Sequence, residues 1–252
     1  VNGACEEKDW AWVQENAAEF NDLAVTNVSD EFNLLAVQGP KSLEVIAKLT
    51  DIAIADIPYY NFAFGNCCGE EMILSRTGYT GEIGMELYFK GGEETATKVW
   101  NAIFEAGAEF GIEPIGLGAR DTLRLEKGYC LYGNDIDNTT NPIEAGLGWI
   151  TKLQKGDFNG KETIAAVKAE GAKRKLVGFV MQTEKLLPRQ NYKIMANGAE
   201  IGATTSGNIS PLLGKGIGLG YVSAEFSTPG TIIEIAARNT TFPAEVTKLP
   251  FL

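Results

Sequence analysis

Histidine is absent from all 252 residues of this chain. The residue most often used as a general base or transition-metal ligand near neutral pH is therefore excluded, and any chemistry must rest on carboxylates, Tyr, Lys or Arg. Cysteine is scarce, with Cys5, Cys67, Cys68 and Cys130 the full set. Two of them are adjacent and none forms a CxxC pair, so neither a disulfide framework nor a zinc or other metal site is expected, and reduced thiols fit a cytoplasmic compartment. No apolar run approaches the roughly 18 residues that a membrane-spanning helix needs. The opening VNGACEEKDW has neither a basic nor a hydrophobic leader region, so secretion and membrane insertion are not expected. Positive charge is also short, 22 Lys+Arg against 33 Asp+Glu, an imbalance that repels phosphate backbones and argues against a nucleic-acid partner. Missing too are a GxGxxG opening a helix and a Walker sequence, which disfavours a nucleotide-phosphate site.

What is present is patterned. Residues 5–20 place Trp10, Val13 and Ala17 near helical spacing among acids, which predicts an amphipathic helix. Leu23–Thr26 reads as a short strand. FNLLAV (32–37), closed by Gly39-Pro40 and followed by KSLEVIAKL, predicts strand, turn and helix, with Ser42 near the helix start. Tyr59–Phe64 and Cys67–Ser75, broken at Gly69, predict paired strands, and Met85–Phe89 another. Residues 93–110 predict a helix with Val99, Ile103 and Phe104 on one face, ended by Gly111 at positive φ. GLGARDTLRLE (116–126) predicts a second helix.

After residue 151 the pattern changes. Lys152–Ala172 is polar and helix-like, and Lys175–Met181, Tyr192–Met195, Ala203–Thr205, Gly218–Val222 and Thr231–Ala236 are short strands separated by Gly, Pro and Asn, which predicts a small barrel or sandwich. The expected organisation is an α+β region over 1–151, then a linker helix and a β domain over 152–252.

The densest candidate for chemistry is Gly116–Trp149, two arginines, several carboxylates and aromatics in a helix followed by the Asn- and Asp-rich loop LYGNDIDNTTNP. Long loops of that kind in compact domains tend to be functional. Arg120 and Arg124 are four apart and share a helix face, so both could meet an anion, or Asp121 could pair locally with Arg124. In RTGYTGEIGMELY (76–88) glycines let backbone approach a flat ligand, Tyr79 could stack on a ring, and Glu82 or Glu86 could accept a pair of ring N–H donors. A pterin suits these residue types, although a buried Glu86 could equally bind an arginine of the same protein.

Five segments carry a resemblance: LLAVQGPKSLEVIAKL (34–49), ILSRTGYTGEIGMELYF (73–89), PIGLGARDTLRLEKGYCLYGNDID (114–137), NPIEAGLGWITK (141–152) and TSGNISPLLGKGIGLGYV (205–222). In order and spacing they resemble the glycine cleavage T-protein family, tetrahydrofolate-dependent aminomethyltransferases. The resemblance implies an α+β folate-binding fold with antiparallel sheets and packed helices, followed by a small C-terminal β-barrel, in a three-domain arrangement with folate in a central channel. It implies pterin contacts from Asn2 and Tyr79, a pterin-gripping carboxylate at Glu86, a folate-binding arginine at Arg120 and an aromatic close to folate at Trp149. Glu82, Arg124, Tyr132, Asp135 and Glu144 are left between packing and site roles.

The implied reaction moves the aminomethyl group from the lipoyl arm of H-protein to tetrahydrofolate, giving 5,10-methylenetetrahydrofolate and ammonia. The aspartate that the resemblance implies for steering the folate nitrogen lies upstream of the segment matching VNGACEEKD, so no catalytic residue is assigned. Val1 in place of Met suggests that the numbering starts inside a larger fold, leaving the first sheet with an exposed edge. A folate-dependent demethylase of the same superfamily stays open as an alternative. So does a non-enzymatic folate-binding module, although KGYC at Lys127–Cys130 departs from the KGC-like wording of such modules. The acidic composition favours a bacterial cytoplasm over a mitochondrion.

Overall fold

The computed structural model describes residues 3–252. Chain contacts divide it into two compact units, one ending at Pro114 and one beginning at Ile115. The sequence-derived division stands at 151/152 instead.

The first unit is an antiparallel sheet with helices on one face. Its strands are β1 (Phe32–Gln38), β2 (Phe62–Cys67), β3 (Glu70–Ser75) and β4 (Gly84–Lys90), in the order β1-β4-β3-β2. Period-two alternation sends Met72 and Leu74 of β3, and Met85, Leu87 and Phe89 of β4, to one face, where they pack with Val45 and Ile46 of α2 (Ser42–Ala47) and Val99 and Ile103 of α3 (Glu93–Gly107). The helix end forecast at Gly111 is there: a 3-10 turn follows α3, and Gly111 has φ +69°. Ser42 is buried at the start of α2 and donates its hydroxyl to the Ile83 carbonyl. The opposite sheet face stays open, with Leu34, Phe62 and Phe64 all exposed.

One expectation fails here and another is met only in part. Leu23–Thr26 is no strand, because a short stretch whose β propensity rests on Val25 and Thr26 forms a strand only when a partner edge accepts its backbone. The predicted N-terminal helix exists as α1 (Glu6–Ala17), but none of its residues is buried.

The second unit begins with α4 (Leu117–Glu126) and a turn-rich segment, and continues through α5 (Lys161–Glu170) into strands β5 (Arg174–Met181), β6 (Lys193–Ala196), β7 (Ala199–Ser210), β8 (Lys215–Ser223), β9 (Ile232–Ala237) and β10 (Thr240–Thr247). These strands close into a barrel, β10-β5-β8-β7-β6-β9, filled by Phe179, Ile194, Val222, Ile233, Ile235 and Val246. The α+β architecture with a C-terminal β-barrel is thus the one expected, and of the two β forms left open, closure selects the barrel.

Helical structure after residue 151 is shorter than forecast. Residues 153–160 are turns, bends and irregular chain, and α5 is delimited by Gly160 (φ +86°) and Gly171 (φ +85°). Strand β10 was not foreseen, since it contains Pro243. That proline sits one residue beyond the registered β10–β5 ladder, where its carbonyl accepts from the Gln182 N–H at 2.9 Å, so its missing N–H costs only the second half of a terminal pair.

Candidate functional site

In the first unit the candidate residues gather around β4. Glu86 lies on the open sheet face, directly across from Ala36 on β1 and Ser75 on β3. Its Oε2 accepts from the Thr77 hydroxyl at 2.5 Å and from the Tyr88 hydroxyl at 3.4 Å. Ser75 Oγ and Thr77 Oγ1 lie 2.9 Å apart, which extends the chain of hydroxyls. Both contacts engage Oε2, and among the described residues no donor reaches Oε1. The carboxylate is thus oriented by its own sheet and not consumed by an arginine, the outcome that the sequence left open. Burial pushes the Tyr88 phenol up, and the adjacent Glu86 charge and hydrogen bond add to it, so the phenol stays protonated and able to donate.

The loop that carries Tyr79 is closed by Gln38. Its Nε2 donates to the Thr77 carbonyl at 3.2 Å and the Met85 carbonyl at 3.4 Å, and its Oε1 accepts from Thr80 Oγ1 at 2.9 Å. A Cβ on either Gly78 or Gly84 would overlap the Gln38 amide. These glycines are therefore needed for close approach of backbone to Gln38, which in turn holds the loop above β4. Tyr79 is half-buried in this loop and Glu82 is exposed. Asn2 lies outside the described residues.

In the second unit the two arginines of α4 part company. Arg120 is exposed, whereas the Arg124 side chain is only 2% exposed. Arg124 donates from Nε and Nη2 to Asp121 Oδ1 (2.9 and 2.7 Å), from Nη1 to the Tyr129 carbonyl (3.1 Å) and Asp135 Oδ2 (2.7 Å), and from Nη2 to Ser206 Oγ (2.9 Å). Every donor of the guanidinium fork is engaged within the protein. Of the two readings left open, local pairing with Asp121 is the one found for Arg124: its spacing put it on the face of Arg120, but Asp135 and Ser206 take it inside.

Asp135 is fully buried and accepts from Arg124, the Leu131 N–H (2.8 Å), Ser206 Oγ (3.0 Å) and Thr205 Oγ1 (2.5 Å). A register shift between Thr204 and Ser206 in β7 accompanies this arrangement, and a bulge of that kind lets neighbouring residues aim at one target. Burial pushes the neighbouring Cys130 thiol up to about 11, with the Asp135 charge adding to it. Glu144 is likewise paired within the protein. It takes a bidentate pair from Arg174, 3.0 Å from Nε and 2.9 Å from Nη2, and caps the Asn141 N–H at 2.9 Å. Trp149 is 70% exposed and Tyr132 half-buried. Among the described residues no cluster of carboxylates and cysteines could hold a metal ion, and no helix is long and apolar enough to cross a membrane.

Sequence reasoning missed Thr77, Tyr88 and Gln38. Tyr88 was within reach, since period-two alternation in MELYF puts residues 86 and 88 on one face. Thr77 and Gln38 are found only once the hairpin loop is folded back over β4.

An α+β unit carrying an oriented carboxylate on an open sheet face, followed in the chain by a closed six-stranded barrel, defines a class of protein with an open-faced sheet and a barrel module. Residues 1–155 match the GCVT N-terminal domain, and residues 174–252 match the glycine cleavage T-protein C-terminal barrel domain. The chain is similar to proteins named Aminomethyltransferase from Halothermothrix orenii (49% identity) and Bacteroides fragilis (54% identity), in each case over 100% of this chain and 69% of the relative. It is also similar to the crystal structure of glycine cleavage system aminomethyltransferase T from Bartonella henselae, with TM-score 0.86 and 29% identity over 100% of this chain and 67% of that one. The chain belongs to the glycine cleavage T-protein family.

Proposed function

We propose that this chain performs the aminomethyl transfer of glycine cleavage, with tetrahydrofolate as acceptor and the aminomethyl-loaded lipoyl arm of H-protein as donor. The observation that carries the reading is Glu86: a carboxylate oriented by Thr77 and Tyr88 on an open sheet face, with Oε1 turned to no donor among the described residues. A pterin's amino-pyrimidinone edge presents two adjacent N–H donors, which one carboxylate accepts side by side.

The residues present fit that group. Glu86 holds the pterin edge, Thr77 and Tyr88 fix the rotation of its carboxylate, and Tyr79 lines the ring from the loop that Gln38 closes. Family resemblance alone adds Arg120 and Trp149 of the second unit, both exposed, and Asn2 as further folate contacts. Tetrahydrofolate, when bound, supplies the nucleophilic nitrogen and carries away the one-carbon unit. The protein's contribution is position: orienting two reactants converts a bimolecular encounter into a local one. No residue of this chain is assigned as a general base.

A bacterial cytoplasm is the proposed location, in line with the bacterial relatives. The division at 151/152 is proposed as the border between sequence modules, a reading supported by matches that end at 155 and resume at 174. The test is a transfer assay with aminomethyl-loaded H-protein and tetrahydrofolate, following ammonia and 5,10-methylenetetrahydrofolate. Formation of both products by the chain, lost in Arg120→Ala and Glu86→Ala, supports the reading. Formation that is indifferent to either substitution removes that residue from the site.

A further inference from the structure

Cys67 and Cys68 take no part in the site described above, yet the fold places them unusually. They stand where β2 turns into β3. Cys68 and Gly69 are the two central residues of that hairpin, at φ +56° and +75°, the positive-φ pair of a type I′ turn. Glycine tolerates this region; cysteine does not do so readily, so Cys68 holds a strained position. The Cys68 N–H is fixed to the Leu49 carbonyl at 2.9 Å. Cys67 is wholly buried in the core, Cys68 is half-buried at its margin, and their sulfurs lie 3.8 Å apart. Beside the turn, Lys98 of α3 pairs with Glu70 at 2.5 Å, and its ammonium lies 3.3 Å from where a Cβ on Gly69 would be.

We propose that Cys67 and Cys68 form a dithiol modification site, in which Cys68 is the attacking thiol toward a small-molecule disulfide and Cys67 the resolving one, closing to a disulfide between adjacent residues. The Cys68 thiolate attacks one sulfur of the small disulfide, forming a mixed disulfide and expelling one thiolate. Cys67 then gives up its proton to the expelled thiolate and attacks Cys68 Sγ, expelling the second thiolate. The two protein thiols lose two electrons and two protons, and one small disulfide becomes two thiols.

The division of labour follows from the surroundings. The Cys68 thiol is held below the ordinary thiol range, first by the hydrogen bond from Cys67 and also by the Lys98 ammonium, against burial and the Glu70 charge. Cys67 is pushed far up by that same bond and by burial, so it keeps its proton until the second step. Consecutive Cα atoms are about 3.8 Å apart, short of the roughly 4.4–6.8 Å that an unstrained disulfide spans. The closed form is therefore strained and readily reduced.

The test treats the full chain with glutathione disulfide and follows intact mass and peptide maps. The wild type is expected to lose two hydrogens, to retain no glutathionyl group, to carry the cross-link in the peptide spanning residues 67–68, and to revert in excess reduced glutathione. Cys67→Ala is expected to stop with one glutathionyl group on Cys68, and Cys68→Ser to leave Cys67 unreacted. A wild type that retains the adduct on Cys68 without closing, fails to react at 67–68, or reacts first at Cys5 or Cys130 would overturn the proposal. The wild-type map decides this even if the Cys67 variant does not fold.

Discussion

Arg124 and Asp135 meet at 2.7 Å with both side chains shut off from solvent, one on α4 and the other in the segment that follows it. Charges so placed are stable only when paired and hydrogen-bonded, and removing one partner strands the other. Arg124→Ala is expected to destabilise the protein by about 3–5 kcal/mol, read as a lower denaturation midpoint. Arg120→Ala, four residues away and exposed, should leave stability within about 0.5 kcal/mol of wild type while weakening folate binding. Equal stability losses for the two variants would show that Arg124 is not the buried anchor.

The Glu86 carboxylate is expected to contribute about 1.5–3 kcal/mol to folate binding through charge-assisted hydrogen bonds, a loss of roughly tenfold to a hundredfold in affinity for Glu86→Gln. Thr77→Ala removes only the group that orients it, so its loss should be smaller and in the same direction. A larger loss for Thr77→Ala than for Glu86→Gln would mean that the threonine itself touches the ligand.

Gly84→Ala forces Gln38 out of its hydrogen bonds to Thr77, Thr80 and Met85. A cost of about 1–3 kcal/mol is expected, as for other overpacked sites. Gln38→Ala in the same background should restore part of it. Thermal unfolding of the single and double variants measures the coupling.

Acid should act on the Glu144–Arg174 pair. Burial pushes the Glu144 carboxyl up, but the Arg174 guanidinium and the Asn141 N–H outweigh it and leave it below the ordinary range. A group with a depressed folded value stabilises the protein above the unfolded carboxylate value, about 4.3, and loses that contribution as pH falls through the folded value. The difference in melting temperature between wild type and Glu144→Gln is therefore expected to be widest near neutrality and to shrink below about pH 4. A difference that is constant with pH would rule out this pair as its source.

How far the sequence carried is clearest from single residues. Alternation in β4 and the helix end at Gly111 were legible because period and glycine punctuation are local signals. Pro243 hid β10, since a strand that tolerates proline is recognised only from where its neighbour's ladder stops. Leu23–Thr26 misled in the opposite sense, through propensity without a partner edge. In the candidate site, Glu86 was legible as a carboxylate on a strand, and its freedom from an internal arginine was not. Helical spacing put Arg120 and Arg124 together; only the barrel, through Thr205 and Ser206, decides which one is buried.

The most direct measurement is a calorimetric titration of the full chain with tetrahydrofolate, alongside Glu86→Ala in a sample shown to be folded by circular dichroism. Saturable binding by the wild type, weakened tenfold or more in the variant, is the predicted result, on the order of one charge-assisted contact. Equal affinity in wild type and variant, or no binding by the folded wild type, would contradict the assignment of the open face of β4 as the pterin site.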